Sequence, residues 1–272
     1  MPVYSHSRLS SYENCPLLYK YSYVEKVKLE HVETVEAFMG SRVHEALEKL
    51  YRDLKLSKLN ALEDILAFYK ASWERSWRED VKIVRVKYTP QNYYETGAKC
   101  IVDYYQRYAP FDQSRTLGLE QSIFIDLDGY KLRGFIDRLA QRMDGYYEIH
   151  DYKTSQYLPM QRHLDEDRQL ALYQIGIEER WGNVERVELV WHYLVHDTEM
   201  RSKRSSADIA RLKADTIALI EEIGKAVEED NFPAKETQLC SWCEYQSLCQ
   251  RQMHIVKTKQ MSINKYLSST PE

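Results

Sequence analysis

Three acidic residues and one lysine in the middle of the chain are placed in register by two turn signals. Asp128-Gly129 reads as a two-residue hairpin turn, because alternating apolar and polar residues flank it over Gln121–Leu127 and Tyr130–Ala140. That turn sets Glu120 opposite Asp137, and a second turn, Met143-Asp144-Gly145, sets Asp137 opposite Asp151 when centred on Asp144. Side chains on one face of a strand recur every second residue, so Glu120, Asp137 and Asp151 are expected to line up across three strands with Lys153 on the same face. Phe135, Leu139 and Ile149 are expected to share that face. Carboxylates among apolar neighbours carry a desolvation penalty, and like charges directly opposite repel. A hard divalent cation, Mg²⁺ or Mn²⁺, removes both penalties. The three acids alone fit equally an exposed face, or one neutralised by Lys153 and arginines. The apolar company and the Asp-x-Lys spacing favour a metal site.

A second constellation lies near the end of the sequence. Cys240-x2-Cys243-x5-Cys249 offers three thiolates within ten residues, while Cys15 and Cys100 stand far away. Three soft ligands want a fourth from a distance, and four thiolates suit either a [4Fe–4S] cluster or structural Zn²⁺.

The chain that must position these groups has 272 residues, enough for one large domain or two small ones. With 43% hydrophobic and 29% charged residues it reads as globular, and 9 Gly and 7 Pro exclude collagen-like or low-complexity architecture. The net charge of −4 does not advertise a nucleic-acid partner, but it leaves room for a local basic groove. No apolar run reaches transmembrane length, and Met1–Pro16 has no apolar segment of the secretory kind. Together with five cysteines this gives the expectation of a reducing, cytoplasmic location with no membrane partner, and of cysteines used as ligands rather than disulfides.

Ser10-Ser11-Tyr12-Glu13 is read as a capping box opening a short helix. Helices are predicted over Phe38–Leu56, Ala61–Trp77, Tyr93–Tyr108, Asp165–Glu179 and Ser206–Glu229, with Pro90 and Pro110 as breaks. An antiparallel meander is predicted through Lys153, and one more strand over Val187–Val195. The expected fold class is α/β, a mixed sheet flanked by helices, with a helical N-terminal region. Arg201-Ser202-Lys203-Arg204 is the densest basic run. Arg201, Lys203 and Arg204 are candidates for phosphate contacts, a solvated loop being the other reading. Tyr93, Tyr94, Tyr147 and Tyr157, four of 22 tyrosines, are candidates for stacking on unpaired bases.

Gly134-Phe135-Ile136-Asp137-Arg138 followed by Asp151-Tyr152-Lys153-Thr154 resembles the core of the PD-(D/E)xK nuclease superfamily, and within it the RecB-like branch. Gly40-Ser41-Arg42-Val43-His44 resembles that branch's Gly-x-x-x-His motif, and Gln169-x-x-x-Tyr173 its Gln/Tyr helix motif. The cysteines resemble those of the branch's iron–sulfur members, which include the AddB nuclease subunit and a four-cysteine CRISPR-associated exonuclease. Ile136 stands where the eponymous motif has proline, as is frequent in the branch.

The resemblance implies a restriction-endonuclease-like core in a single domain over 1–272. Its helical part would span about 1–115, its catalytic core about 116–235 and its cysteine cluster 236–252, with a tail at 253–272. It implies that His44, Asp137, Asp151 and the Tyr152 carbonyl hold Mg²⁺ or Mn²⁺ and that Lys153 orients a metal-activated water. Glu120 would assist from beside the metal or at a second one, and Gln169 and Tyr173 would position the strand or the lysine. It further implies that Cys15 joins Cys240, Cys243 and Cys249 around a [4Fe–4S] cluster, with Zn²⁺ as the alternative and Cys100 a helix thiol. The function so implied is a metal-dependent deoxyribonuclease, an exonuclease on single-stranded DNA ends in repair, recombination or CRISPR adaptation. No Walker A motif is present, so helicase activity would come from a partner. The alternatives are a non-catalytic DNA-binding or scaffold subunit and a zinc-clamped RNA-processing protein.

Overall fold

The structure is a computed structural model, and it describes residues 2–28, 33–85, 87–182, 184, 186–237, 240 and 242–249. The tail expected at 253–272, and 250–252 of the expected cysteine segment, lie outside the described residues. The chain divides into two compact units, one of Met1–His6 and Val32–Ala218, the other of Ser7–His31 and Leu219–Glu272.

The first unit holds a five-stranded sheet in sequence order: β1 (Arg115–Leu127), β2 (Tyr130–Gln141), β3 (Tyr147–Lys153), β4 (Val187–Tyr193) and β5 (Thr198–Ser202). The first three strands form the expected antiparallel meander, β3 and β4 are parallel, and β5 runs antiparallel to β4. A parallel pair needs a crossover, and helices α6 (Gln161–Asp165) and α7 (Gln169–Trp181) supply it. This is the α/β mixed sheet flanked by helices that the resemblance implies.

Asp128 and Gly129 turn the first hairpin in the left-handed region, with φ of 49° and 94°. That conformation matches the twist of the flanking strands, which is why Asp-Gly sets the register there. Pairs run from Leu127↔Tyr130 through Gln121↔Ile136 to Leu119↔Arg138, with a bulge between Thr116 and Gly118. The second turn gives Gln141↔Tyr147 through Arg138↔His150. Both registers are the predicted ones. Of the face expected to be apolar, Leu139 and Ile149 are buried, but Phe135 is 50% exposed. The pairing of β3 ends at Arg138↔His150, so Phe135 lies beyond it on β2.

Helices α3 (Val35–Lys55), α4 (Leu62–Ser76) and α5 (Pro90–Tyr108) pack together. The apolar face of α3, with Phe38, Met39, Val43, Leu47 and Leu50, meets Trp73 and Tyr69 of α4 and Ile101 and Tyr104 of α5 in an aromatic-rich core that also takes in Tyr152 of β3. Phe38 meets Trp73 edge to face with ring centroids 4.9 Å apart, an arrangement worth about 0.5–1.5 kcal/mol beyond its area. Pro90 opens α5 rather than breaking the chain ahead of it. At the first helical position its missing N–H costs nothing, and Thr89 and Asn92 cap each other around it.

Three further expectations are corrected. The helix expected over Asp165–Glu179 begins only at Gln169 and runs to Trp181, Asp165 being the last residue of the separate short helix α6. The strand expected to reach Val195 ends at Tyr193, where one 3₁₀ turn and Asp197 (φ 43°) reverse the chain into β5. The basic run, read as phosphate contacts ahead of a helix with a solvated loop as the alternative, therefore begins inside a strand, with Arg201 and Ser202 paired to Val190 and Leu189.

The second unit contains α1 (His6–Asn14, but for His6), α2 (Pro16–Tyr19) with a π turn over Lys20–Val24, and the C-terminal part of α8 (Ser206–Glu228). Ser10–Glu13 lies inside α1 rather than opening it, and Ser11 Oγ bonds back to the Ser7 carbonyl (2.9 Å). Buried Tyr19 anchors the unit, with Tyr12 against its edge and Phe232 stacked on it. Among the described residues no helix is long and apolar enough to cross a membrane.

Candidate active site

The strand registers bring the acids together. Leu119↔Arg138 and Gln121↔Ile136 bracket Glu120 and Asp137, and Arg138↔His150 is the last pair before Asp137 and Asp151. Glu120 adopts a left-handed φ of 44°. Asp137 is pushed up to about 7, first by burial and then by the Asp151 carboxylate, while His44 and the Tyr152 N–H act against the rise. That N–H donates to Asp137 Oδ2 at 2.8 Å. Burial also raises Glu120, with Glu48 and Asp151 adding to the effect and His44 opposing it.

His44 reaches this group from α3. Its Nε2 lies 2.7 Å from the Tyr152 carbonyl oxygen, and its Nδ1 lies 3.7 Å from Asp137 Oδ2. Gly40, one turn earlier, makes the approach possible, since a Cβ there would stand 2.9 Å from Thr154 Oγ1. Ligand atoms of His44, Glu120 and Asp137 all lie within 4.8 Å of one another. An open cleft of about 470 Å³, lined by Gly40, Ser41, His44, Glu45, Glu48 and Glu120, gives access to them.

Asp151 lies on the other side of Asp137. Lys153 Nζ donates to its Oδ1 (3.0 Å) and stands 2.8 Å from its Oδ2. Gln169 joins the pair at the start of α7, accepting from Lys153 at Oε1 (3.0 Å) and donating from Nε2 to Asp151 Oδ1 (3.1 Å). Burial pulls the Lys153 ammonium down, but the adjoining Asp151 outweighs it and holds the pKa above the ordinary lysine value. Asp151 Oδ2 is buried and receives no properly aimed hydrogen bond; its contact with Lys153 is ionic only. Tyr173 sits one turn beyond Gln169, its hydroxyl 3.5 Å from Gln169 Nε2. Its ring fills the space over Gly134, where a Cβ would come within 2.1 Å of it.

The structure thus gathers His44, Glu120 and Asp137 around one point, with Asp151, Lys153, Gln169 and Tyr173 beside it. Glu120, expected in a supporting place, stands in the three-residue group, whereas the oxygens of Asp151 face Lys153 and Gln169. Two carboxylates and an imidazole are hard or borderline donors. Three neighbouring acids against one lysine leave an excess of negative charge, and Asp151 Oδ2 has no partner but that ammonium. This donor set fits Mg²⁺ or Mn²⁺.

Asp167 was not foreseen. It is raised by burial and by nearby Asp151, and its Oδ1 accepts the Gln169 N–H at 2.9 Å. The signal was an acidic residue just ahead of a helix, hidden by reading Asp165–Glu179 as one helix.

Arg201 is engaged inside the molecule with Glu148 (2.7 Å), Glu188 (2.5 Å) and Glu199 (2.5 Å). Arg204 donates to the carbonyls of Leu164 (2.5 Å) and Asp167 (3.0 Å). Lys203 is more open, 3.5 Å from Glu188. Of the tyrosines considered for stacking, Tyr93 is buried and bonds Glu36, Tyr94 stacks on Tyr69 and Tyr147 on Trp181, while Tyr157 is 64% exposed.

In the second unit the backbone N–H of Lys235 points at Cys15 Sγ and that of Thr237 at Cys240 Sγ, each at 3.4 Å. Cys243 and Cys249 follow in successive turns, and Tyr21 donates to the Leu248 carbonyl (3.3 Å). Burial raises the Cys243 thiol, and Cys15, Cys240 and Cys249 are near enough to add to the rise. All five cysteines are free thiols, and Cys100 is buried in α5, its thiol pushed up to about 12 by burial.

The family model of the PD-(D/E)XK nuclease superfamily matches residues 3–250. No curated protein matches the chain. Among solved structures, a protein from Eubacterium rectale assigned provisionally as an exonuclease shares 13% identity, covering 89% of this chain and 87% of that one with a TM-score of 0.53. The structure of SSO0001 shares 16% identity over 87% of this chain and 95% of that one, with a TM-score of 0.31. The first likeness supports the fold.

Proposed function

The chain belongs to the PD-(D/E)XK nuclease superfamily, and from that premise we propose that it is a divalent-metal-dependent deoxyribonuclease of the RecB-like branch, acting as an exonuclease on single-stranded DNA ends. The observation that carries the reading is the crowding of Glu120 and Asp137 with His44, where burial and Asp151 push Asp137 up to about 7. His44, the Tyr152 N–H and Lys153 offset that charge only in part, so the site fits a cation. Mg²⁺ or Mn²⁺ held by His44, Glu120 and Asp137, with Asp151 and the Tyr152 carbonyl alongside, supplies Lewis acidity toward a phosphodiester and a more acidic water. Lys153, held above its ordinary pKa, keeps its proton and offers positive charge to the phosphate as negative charge builds on it. Gln169 bonds Lys153 and Asp151 together and fixes the direction of that ammonium, and Tyr173 braces Gln169 from its own helix.

The exonuclease part of the reading follows the assignment of the Eubacterium rectale protein, which shares the fold. A scaffold subunit without activity has no use for crowded acids beside a charged lysine that one of them hydrogen-bonds. The test is cleavage of end-labelled single- and double-stranded DNA with Mg²⁺, Mn²⁺ or EDTA. Metal-dependent shortening from single-stranded ends is expected, with Asp151→Ala and Lys153→Ala inactive. Wild-type rates in Asp151→Ala overturn the assignment.

Cys15, Cys240, Cys243 and Cys249 are proposed to hold a [4Fe–4S] cluster, Zn²⁺ being the alternative. Support comes from four free thiols of one unit and from backbone N–H groups aimed at two of the sulfurs, as suits thiolate ligands. Iron, sulfide and zinc analysis of anaerobic protein separates the choices. Cys15→Ala is expected to lose the cluster and Cys100→Ala to keep it. A helicase or CRISPR-adaptation partner and a role in DNA repair belong to the same proposal, to be tested by co-purification.

A further inference from the structure

Positions 133, 135 and 137 of β2 alternate onto one face, and Asp137 at the end of this row belongs to the candidate metal group. Across the ladder, β1 sets Ser122 opposite Phe135 and Phe124 opposite Arg133. The Arg133 guanidinium lies over both rings, 4.8 Å from the centroid of Phe135 and 5.4 Å from that of Phe124. Its Nε donates to Ser122 Oγ at 3.0 Å, and among the described residues no carboxylate pairs with it. The two rings remain in water, Phe124 65% exposed and Phe135 50% exposed.

The other face of the same hairpin is fully used. Ile123, Ile125, Leu132 and Ile136 are buried there, and the Tyr173 ring covers Gly134. The exposed phenylalanines therefore contribute nothing to the core, and the guanidinium between them holds both rings in place. Tyr4 braces this end of β2 from its free side, accepting from Arg133 N at 2.8 Å and donating to the Lys131 carbonyl at 2.9 Å. The result is a rigid strip of two aromatic rings and an uncommitted positive charge, continuous with the acid cluster.

We propose that Phe124, Arg133 and Phe135 form a stacking platform for an unpaired base of the substrate strand, one or two nucleotides from the bond cut at the Asp137 group. The proposal rests on the nuclease reading and deepens it by naming where a single strand is gripped. Arg133 lies two ladder steps from Asp137, roughly 13 Å along the strand, a span of one or two nucleotides of extended chain. An aromatic face accepts any base, because every base presents a π surface. The guanidinium adds a cation–π contact and attraction to the neighbouring phosphate. Bases inside a duplex are already stacked on one another, so the platform discriminates for single-stranded ends. The aromatic and cationic chemistry, together with continuity with the acid cluster, favours a nucleic acid over a protein on this face.

The test measures binding of fluorescent single-stranded and duplex oligonucleotides by the full-length protein in EDTA, where no cleavage occurs. Phe124→Ala and Phe135→Ala are each expected to weaken single-strand binding roughly five- to hundredfold, with Phe135→Trp restoring it and duplex binding unchanged. A single abasic position, walked along the oligonucleotide, is expected at one place to cost the wild type the same factor and to cost Phe135→Ala nothing more. That non-additivity is specific to a ring–base contact and is not produced by a damaged fold. Wild-type affinity in both alanine variants, or an equal abasic penalty in wild type and Phe135→Ala, overturns the platform. So does unchanged binding accompanied by loss of self-association in sedimentation, which would make the face an interface between copies. If the wild type binds as expected but cuts no DNA with Mg²⁺ or Mn²⁺, the nuclease reading fails while the platform stands. If it cuts and both variants bind normally, the platform alone fails.

Discussion

Asp137 and Asp151 share two strands with Arg138 and His150, their immediate neighbours in sequence, yet the charges on the two faces are balanced in opposite ways. Behind the sheet, Arg138 donates to His150 Nε2 (2.8 Å), His150 Nδ1 meets His192 Nε2 (2.9 Å), and His192 Nδ1 meets the Tyr108 hydroxyl (3.2 Å), which donates to Glu199 (2.6 Å). One set of neutral tautomers satisfies every link in that series. Burial, followed for His150 by Arg138 and for His192 by His150 and Arg138, keeps both imidazoles well below their ordinary pKa. Arg201 balances Glu148, Glu188 and Glu199 at the edge of the network. In front, Glu120, Asp137 and Asp151 crowd together with one lysine, which pairs with Asp151; Asp137 is raised to about 7, and Asp151 Oδ2 meets only that ammonium. Burial alone therefore does not mark a functional site. A single unpartnered atom does not mark one either, since Arg138 Nε behind the sheet also lacks a partner; what sets the front apart is the crowding of like charges, which calls for a cation.

The sharpest way to break this contrast is to exchange the penalties. Asp137→Asn is expected to lower kcat roughly 10²–10³-fold or more, measured with Mn²⁺ on single-stranded DNA, and to raise the melting temperature of the metal-free protein at pH 8. An equally severe loss of stability would place Asp137 with the architecture behind the sheet. Arg201→Met is expected to do the reverse. It takes from Glu148 its cation, while Glu188 keeps Arg142 and Lys203, and should destabilise the fold by about 3 kcal/mol, the low end for a broken buried pair because the guanidinium reaches solvent. Urea unfolding checks the value, and DNA affinity per folded molecule should not change.

Smaller effects sharpen the picture. Gly134→Ala drives a methyl into the Tyr173 ring, so a cost of about 1–3 kcal/mol is expected. Activity should fall with it, because Tyr173 braces the glutamine that holds Lys153. The same pair of assays reads both. Lys203→Ala, which removes an exposed ammonium 3.5 Å from Glu188, should change stability by no more than about 0.5 kcal/mol.

The acid cluster was legible in the sequence because local rules fix it. Asp128-Gly129 and the turn at Asp144 determine registers within a few residues of themselves, and from there Glu120, Asp137 and Asp151 follow by counting. Gly40 and His44 were legible only through the resemblance, since their meeting with Thr154 and Tyr152 spans most of the domain. The strand β5 was not legible. Thr198–Ser202 has one apolar residue, Met200, and is held by Arg201 reaching glutamates of β3 and β4. Nothing in the local pattern announces such partners, and the same remoteness hid the use of Arg201 and Arg204. Phe135 was assigned to a covered face because alternation gives the face but not what packs on it.

The pH dependence of stability follows from the same deficit. Asp137 binds its proton more tightly folded than unfolded, so the metal-free protein is expected to lose stability as pH rises from about 4 to about 7, with no further loss from this group above that. A cation that needs the carboxylate ionised must then displace a proton on binding at pH 6. Calorimetric titration of the metal-free protein with Mn²⁺ at pH 6, in two buffers of different ionisation enthalpy, measures that proton directly. One site that releases a proton in the wild type, and in Asp137→Asn is lost or binds without release, is the expected result. Mn²⁺ binding with the same affinity and proton count in both proteins would contradict the assignment of His44, Glu120 and Asp137 as the metal centre.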